Sequence, residues 1–179
     1  MRIRLFLLVW FGGWSGGGAL ADTVPWGYQQ MAKKQGVPAA VLYAIALTES
    51  NHKLNNGTYR PWPWTLNVRG RGHRYKTRKA AYAALVGYLR QDITLIDVGL
   101  MQVNWHYHKG QLGTPWQALE PYHNMQVGSR ILRAEYAVAK DWLLASGRYH
   151  APNNPKQARK YRKLVAKRLV QIQASIAKQ

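Results

Sequence analysis

The stretch "PAAVLYAIALTES", residues 38–50, carries an apolar side chain at nearly every position from Ala39 to Leu47. A helix apolar on one stripe lies at a surface, whereas one apolar all round is wrapped by protein on most sides. Pro38 suits the opening of such a helix, where its missing N–H costs nothing. The helix ends at Glu49, one of seven acidic residues in a chain of 179 that holds 26 Lys and Arg. Burial and the negative end of the helix dipole both favour the protonated form of a carboxyl placed there. Holding a proton until a transition state takes it is what a general acid does. His52 and Lys53 pull the other way if they approach, and simple pairing with a neighbouring Arg or Lys is the plain alternative.

Upstream of this helix, residues 1–21 read as a secretory signal: Arg2 and Arg4, the apolar "LFLLVWF", then a Gly-rich region closing on "ALA". The apolar run is too short to cross about 30 Å of hydrocarbon, so a membrane anchor is disfavoured. No cysteine is present to carry a lipid. Cleavage after Ala21 leaves residues 22–179 as one exported, periplasmic domain with no stable membrane span. Both phenylalanines leave with the leader, and 24 basic against seven acidic residues give about +17. An anionic partner follows from that charge: cell-wall polymer, anionic lipid or DNA.

Patterning outlines a mainly α (α+β) domain. A short helix spans about 25–34 and stops at Gly36, and "NHKLNNGTYRPWPW" (51–64) reads as loop. "WTLNV" and "HRYKT", separated by "RGRG", suggest a small hairpin. Thr77 caps a helix to about Gln91 with Tyr82, Leu85, Val86 and Leu89 on one face. "IDVGLMQVN" (96–104) is an extended segment entering a turn at Gly99. A longer helix from Pro121 carries Met125, Gly128, Leu132, Tyr136 and Ala139 on one stripe. After the turn-rich "RYHAPNNP" (148–155), a basic helix over about 155–177 presents Tyr161, Leu164, Val165, Leu169, Ile172 and Ile176 to the core. Its Lys and Arg form either a solvated face or a docking surface for anionic polymer.

Three segments together resemble the soluble lytic transglycosylase domain family of the lysozyme-like superfamily. "ALTESN" matches its catalytic Glu-Ser and "GLMQVN" its cleft-lining motif, while Tyr149-His150 in "RYHAPNN" approximates its Tyr-Asn motif. The resemblance runs from about Pro25 to Val170 and implies a helical lysozyme-like fold with a small β element beside a sugar cleft. It implies that Glu49 protonates the oxygen between N-acetylmuramic acid and N-acetylglucosamine in peptidoglycan. The muramic N-acetyl group assists, and a 1,6-anhydro product forms without a second protein carboxylate. "WPWTLNVRG" and the Asp before "GLMQVN" are similar to small transglycosylases of secretion and conjugation machines and of integrating mobile elements. Channel components of such a machine are therefore candidate partners. Related lysozymes carry an Asp in the matching "DxGxxQIN" context, which makes Asp97 a candidate second carboxylate for a hydrolase. A turn or strand-end carboxylate satisfied by backbone N–H groups is the plain alternative for Asp97.

Ser50 is a candidate for holding the acid or the N-acetyl group, with a helix-end hydroxyl bonding backbone as the alternative. Gln102 and Asn104 have amides that both donate and accept, which suits sugar recognition. Met101 shapes either cleft or core, and Tyr149 is the remaining substrate-binding candidate. Trp62, Trp64, Trp105 and Tyr107 offer flat faces for sugar rings or for packing. His106, His108 and His150 lack zinc-site spacing, so no metal or other cofactor is expected. A non-catalytic basic module holding peptidoglycan or DNA is the alternative from outside enzymology.

Overall fold

A computed structural model describes residues 24–176 of the chain. The secretory leader expected over 1–21 lies outside the described residues. In chain order the elements are α1 (Trp26–Gln35), α2 (Ala39–Glu49), β1 (Asn51–Lys53), β2 (Tyr59–Pro61), β3 (Thr65–Val68), β4 (Arg71–Arg74) and α3 (Arg78–Leu89). There follow β5 (Ile96–Val98), β6 (Val103–Asn104), α4 (Trp105–Leu112), α5 (Pro115–Ala118), α6 (Pro121–Ala139), α7 (Trp142–His150) and α8 (Pro155–Ile176). The protein is mainly α with small antiparallel sheets, in agreement with the fold class expected from sequence.

Helix α2 is the central element: every residue from Val41 to Leu47 is buried. It packs against α1, α8 and α7 and against the β1–β2 hairpin. Pro38 stands just outside it as N-cap rather than in its first turn. Gly36 stops α1 in the left-handed conformation, φ 62°, as its sequence predicts. Thr77 caps α3 by accepting from the Ala80 N–H, but the buried face of α3 is Ala81 and Leu85. Tyr82 lies outside the expected stripe, edge-on to Trp116 in solvent. On α8, Tyr161, Val165 and Ile172 are buried as expected, whereas Leu164 is exposed.

The "NHKLNNGTYRP" segment is a hairpin rather than a loop. β1 pairs with β2 in the register Asn51↔Pro61, His52↔Arg60 and Lys53↔Tyr59, and Pro61 is tolerated there at a strand end. The main sheet has the order β4-β3-β5-β6. Its first turn is tighter than "RGRG": Val68 pairs with Arg71, and Arg69 and Gly70 both take positive φ, 52° and 78°. That pair of left-handed residues is what a type I′ hairpin requires. Leu66, Val68, Ile96, Val98 and Val103 are buried on one side of the sheet. Asn67 opposes Asp97, and Asp97 opposes Asn104, so these three polar residues stand in a row across three strands.

Candidate active site

A cleft of about 640 Å³ opens beside that polar row. Its walls come from the end of α2 (Glu49), the sheet (Asn67, Asp97), the turn after β5 (Gln102), helix α4 (Tyr107, His108) and the α7–α8 corner (Tyr149 to Asn154). Of the residues singled out in the sequence, it brings together Glu49, Asp97, Gln102, Asn104, Tyr107, His108, Tyr149 and His150.

The Glu49 side chain is 13 % exposed, enough to open on the cleft and no more. Tyr161, reaching over from α8, donates its hydroxyl to Glu49 Oε1 at 2.7 Å. Burial first, then the Glu49 charge, push the Tyr161 hydroxyl well above its ordinary range, so it remains a donor at neutral pH. His150 stacks on the Tyr161 ring, centroids 4.4 Å apart and planes 5° from parallel. Its Nδ1 lies 3.8 Å from Glu49 Oε1, an ion-pair contact longer than a hydrogen bond. The Glu49 carboxylate raises the His150 pKa above its ordinary value, against the opposing effect of burial and with help from Asp97.

Asp97 has a donor on each oxygen: Asn104 Nδ2 on Oδ1 at 2.8 Å and Asn67 Nδ2 on Oδ2 at 3.1 Å. These are side-chain amides from the flanking strands, where the sequence suggested backbone N–H groups. Burial raises the Asp97 pKa, and the Glu49 charge adds to it, while the two amides and His150 act in the other direction. Asn104 is thus committed to Asp97, and its own oxygen caps α4 by accepting from His106 N–H at 3.1 Å. It also lines the cleft.

The "GLMQ" turn is tied down from three helices. Ser50 donates to Leu100 O at 2.8 Å, Tyr149 donates to Met101 O at 2.6 Å, and Asn124 Oδ1 accepts from Met101 N–H at 2.9 Å. Asn124 also donates to Val98 O and Ala118 O. Gly99, φ 82°, allows this approach: a Cβ there would sit 2.5 Å from Asn124 Nδ2. Ser50 and Met101 are fully buried and do not line the cleft, so of the two readings open for each, backbone bonding holds for Ser50 and core packing for Met101, not substrate contact. Gln102 donates to Gly99 O at 2.8 Å and to Thr65 O at 3.2 Å, which leaves its Oε1 for a ligand. Tyr107 lines the cleft at 73 % exposure. Trp105 is core, and Trp62 and Trp64 pack edge-on to each other away from the cleft. Among the described residues no three His, Asp or Glu side chains converge as a metal site.

Sequence reasoning missed Asn67, Tyr161 and the Glu135–Arg148 ion pair, 2.6 Å, which also lines the cleft. Asn67 was within reach, because a polar residue inside "TLNV" alternates against two buried neighbours. Tyr161 had no local signal, since its position fits a core stripe.

The geometry is that of a carboxyl at the end of a buried helix, held by a hydroxyl and sharing an open cleft with a second, amide-bound carboxylate. A family model described as "Transglycosylase SLT domain" matches residues 28–170. No curated protein and no solved structure matches the chain.

Proposed function

The chain belongs to the transglycosylase SLT domain family, whose activity is the lytic cleavage of peptidoglycan, and from that premise we propose that Glu49 is its single acid and base. Glu49 gives its proton to the glycosidic oxygen between N-acetylmuramic acid and N-acetylglucosamine, and the bond from that oxygen to the muramic anomeric carbon breaks. The muramic N-acetyl oxygen covers the electron-poor carbon. Glu49, now a carboxylate, takes the proton from the muramic 6-hydroxyl as its oxygen bonds to the anomeric carbon and displaces the N-acetyl oxygen. Glu49 is then reprotonated, no water has been consumed, and a 1,6-anhydro end remains.

The observation that carries this reading is the Glu49–Tyr161 hydrogen bond at the rim of the cleft. A hydroxyl that stays protonated orients the carboxyl and stabilises it once the proton has left. Substitution Glu49→Gln is expected to abolish release of soluble muropeptides while leaving the thermal unfolding midpoint within a few degrees of wild type. Mass analysis of the wild-type products reads the chemistry, because anhydro ends are one water lighter than hydrolysed ends. Normal turnover by the Gln variant refutes the assignment, and a folded wild-type protein that releases nothing favours a non-catalytic wall-binding module.

A muramidase using Asp97 is the second reading, favoured by the place of Asp97 in the same cleft. Against it, both Asp97 oxygens already carry amide donors and burial disfavours the charge a nucleophile needs. Export to the periplasm and service to a secretion or conjugation machine rest on the leader-like 1–21 and on "WPWTLNVRG". Loss of transfer or secretion in a strain lacking the protein, restored by wild type but not by Glu49→Gln, is the test of that role.

A further inference from the structure

Helix α8 contains seven Lys and Arg and no acidic residue. Lys156, Lys160, Lys163 and Lys167 are all exposed. Their spacing of four, three and four puts them within an arc of about 60° along about 16 Å of helix. The arrangement is unfavourable in itself: like charges at these spacings repel by a few tenths of a kcal/mol per pair. The ion pairs among the described residues are Arg148–Glu135 and His150–Glu49, so none of the four lysines is neutralised there. The row starts at the cleft. Asn154 lines the active-site cleft and also a second groove of about 560 Å³, whose other walls are Pro155, Lys156, Arg159, Lys160 and Lys163.

We propose that Lys156, Lys160, Lys163 and Lys167 form a track that binds the carboxylates of the peptides borne by the glycan strand lying in the cleft. The proposal rests on the peptidoglycan reading above and extends it to the peptide part of the substrate. Two other polyanions fit less well. The lysine face of α8 carries no aromatic side chain on which bases of a single-stranded nucleic acid would stack. An interfacial helix inserts its apolar face into lipid, and that face of α8 is packed against α2 and α7.

The test compares two substrates, intact peptide-bearing sacculi and the same sacculi with their peptide carboxylates capped as neutral amides. The variant is the fourfold Lys156→Gln, Lys160→Gln, Lys163→Gln, Lys167→Gln, with folding checked by circular dichroism. Four exposed charge contacts of ordinary strength together predict about a tenfold loss of kcat/KM on intact sacculi at low salt. On capped sacculi the substitutions are expected to leave the rate unchanged, and added salt is expected to slow the wild type more on intact than on capped sacculi. Equal loss on both substrates, or no loss on either, overturns the track. Cosedimentation with sacculi tests it separately from turnover: a wild type that releases no glycan fragments but outbinds the variant defeats the catalytic reading and keeps the track. A variant that loses retention on DNA while binding sacculi as wild type does overturns it in favour of a nucleic-acid partner.

Discussion

Glu49 and Tyr161 lie 112 residues apart in the chain, yet a 2.7 Å hydrogen bond joins their side chains. Substitution Tyr161→Phe keeps the ring that stacks on His150 and removes only the donor. Hydrogen bonds to a charged group contribute about 1.5–3 kcal/mol, so turnover is expected to fall by about ten- to a hundredfold. A steady-state assay on sacculi checks this, and an unchanged kcat removes Tyr161 from the acid's support. His150 supplies a pH dependence of known sign. Its pKa is raised in the folded protein, mainly by Glu49, so its stabilisation is full below about 6.5 and is lost as the pH rises through the folded value. Nearly half of the His150 side chain is exposed, and solvent screening holds the effect below about 1 kcal/mol. Urea unfolding at pH 6 and pH 9 is expected to show this loss in wild type and not in His150→Gln. A variant with the same loss as wild type places the dependence elsewhere. Glu49 was legible in the sequence because a carboxylate closing an apolar run is a local anomaly. Tyr161 was not, because its role depends on where α8 docks.

At the scale of elements, the turn between β5 and β6 is held by Ser50 from α2, Tyr149 from α7 and Asn124 from α6. Asn124 uses both ends of its amide there and is buried. Replacing it with Ala leaves the Met101 N–H and the Val98 and Ala118 carbonyls without that partner, at a cost of about 2–4 kcal/mol. The same change releases the turn that aims Gln102 into the cleft. Denaturant unfolding and sacculus turnover are therefore expected to fall together, and an Asn124→Ala protein of wild-type stability contradicts the clamp. Elements with local punctuation were readable: Gly36 ends α1, Thr77 begins α3 and Gly99 marks the turn. Helix α7 escaped because Gly147 lowers its helix propensity. The reason for that glycine is tertiary: a Cβ at 147 would stand 2.6 Å from the Ala158 carbonyl of α8. The hairpin at 51–61 was hidden by its own Asn- and Gly-rich turn, where Thr58 N–H bonds Asn56 Oδ1.

Across the whole molecule, the few carboxylates are spent on specific tasks, which explains why so basic a chain stays so basic. Glu49, Asp97 and Glu135 line the cleft. Glu120 and Asp141 cap α6 and α7, where a negative charge at a helix N-terminus is favourable. Asp92 occupies a left-handed turn position after α3. Little acid is left to neutralise the surface, and the summed repulsion opposes folding. Salt screens repulsion between exposed charges, with a Debye length near 30 Å at 0.01 M and about 8 Å at 0.15 M. The thermal midpoint is therefore expected to rise by several degrees between about 0.01 and 0.15 M NaCl, a range in which the screening length falls inside the dimensions of the domain. Hydrophobic burial is nearly indifferent to salt in this range, so a rise can be assigned to charge. Neutralising the lysines of α8 should shrink it, because those side chains stand three and four residues apart on one helix face, where like charges repel. A midpoint that falls with salt would mean that favourable ion pairs outweigh repulsion, contrary to the unpaired surface that the structure presents.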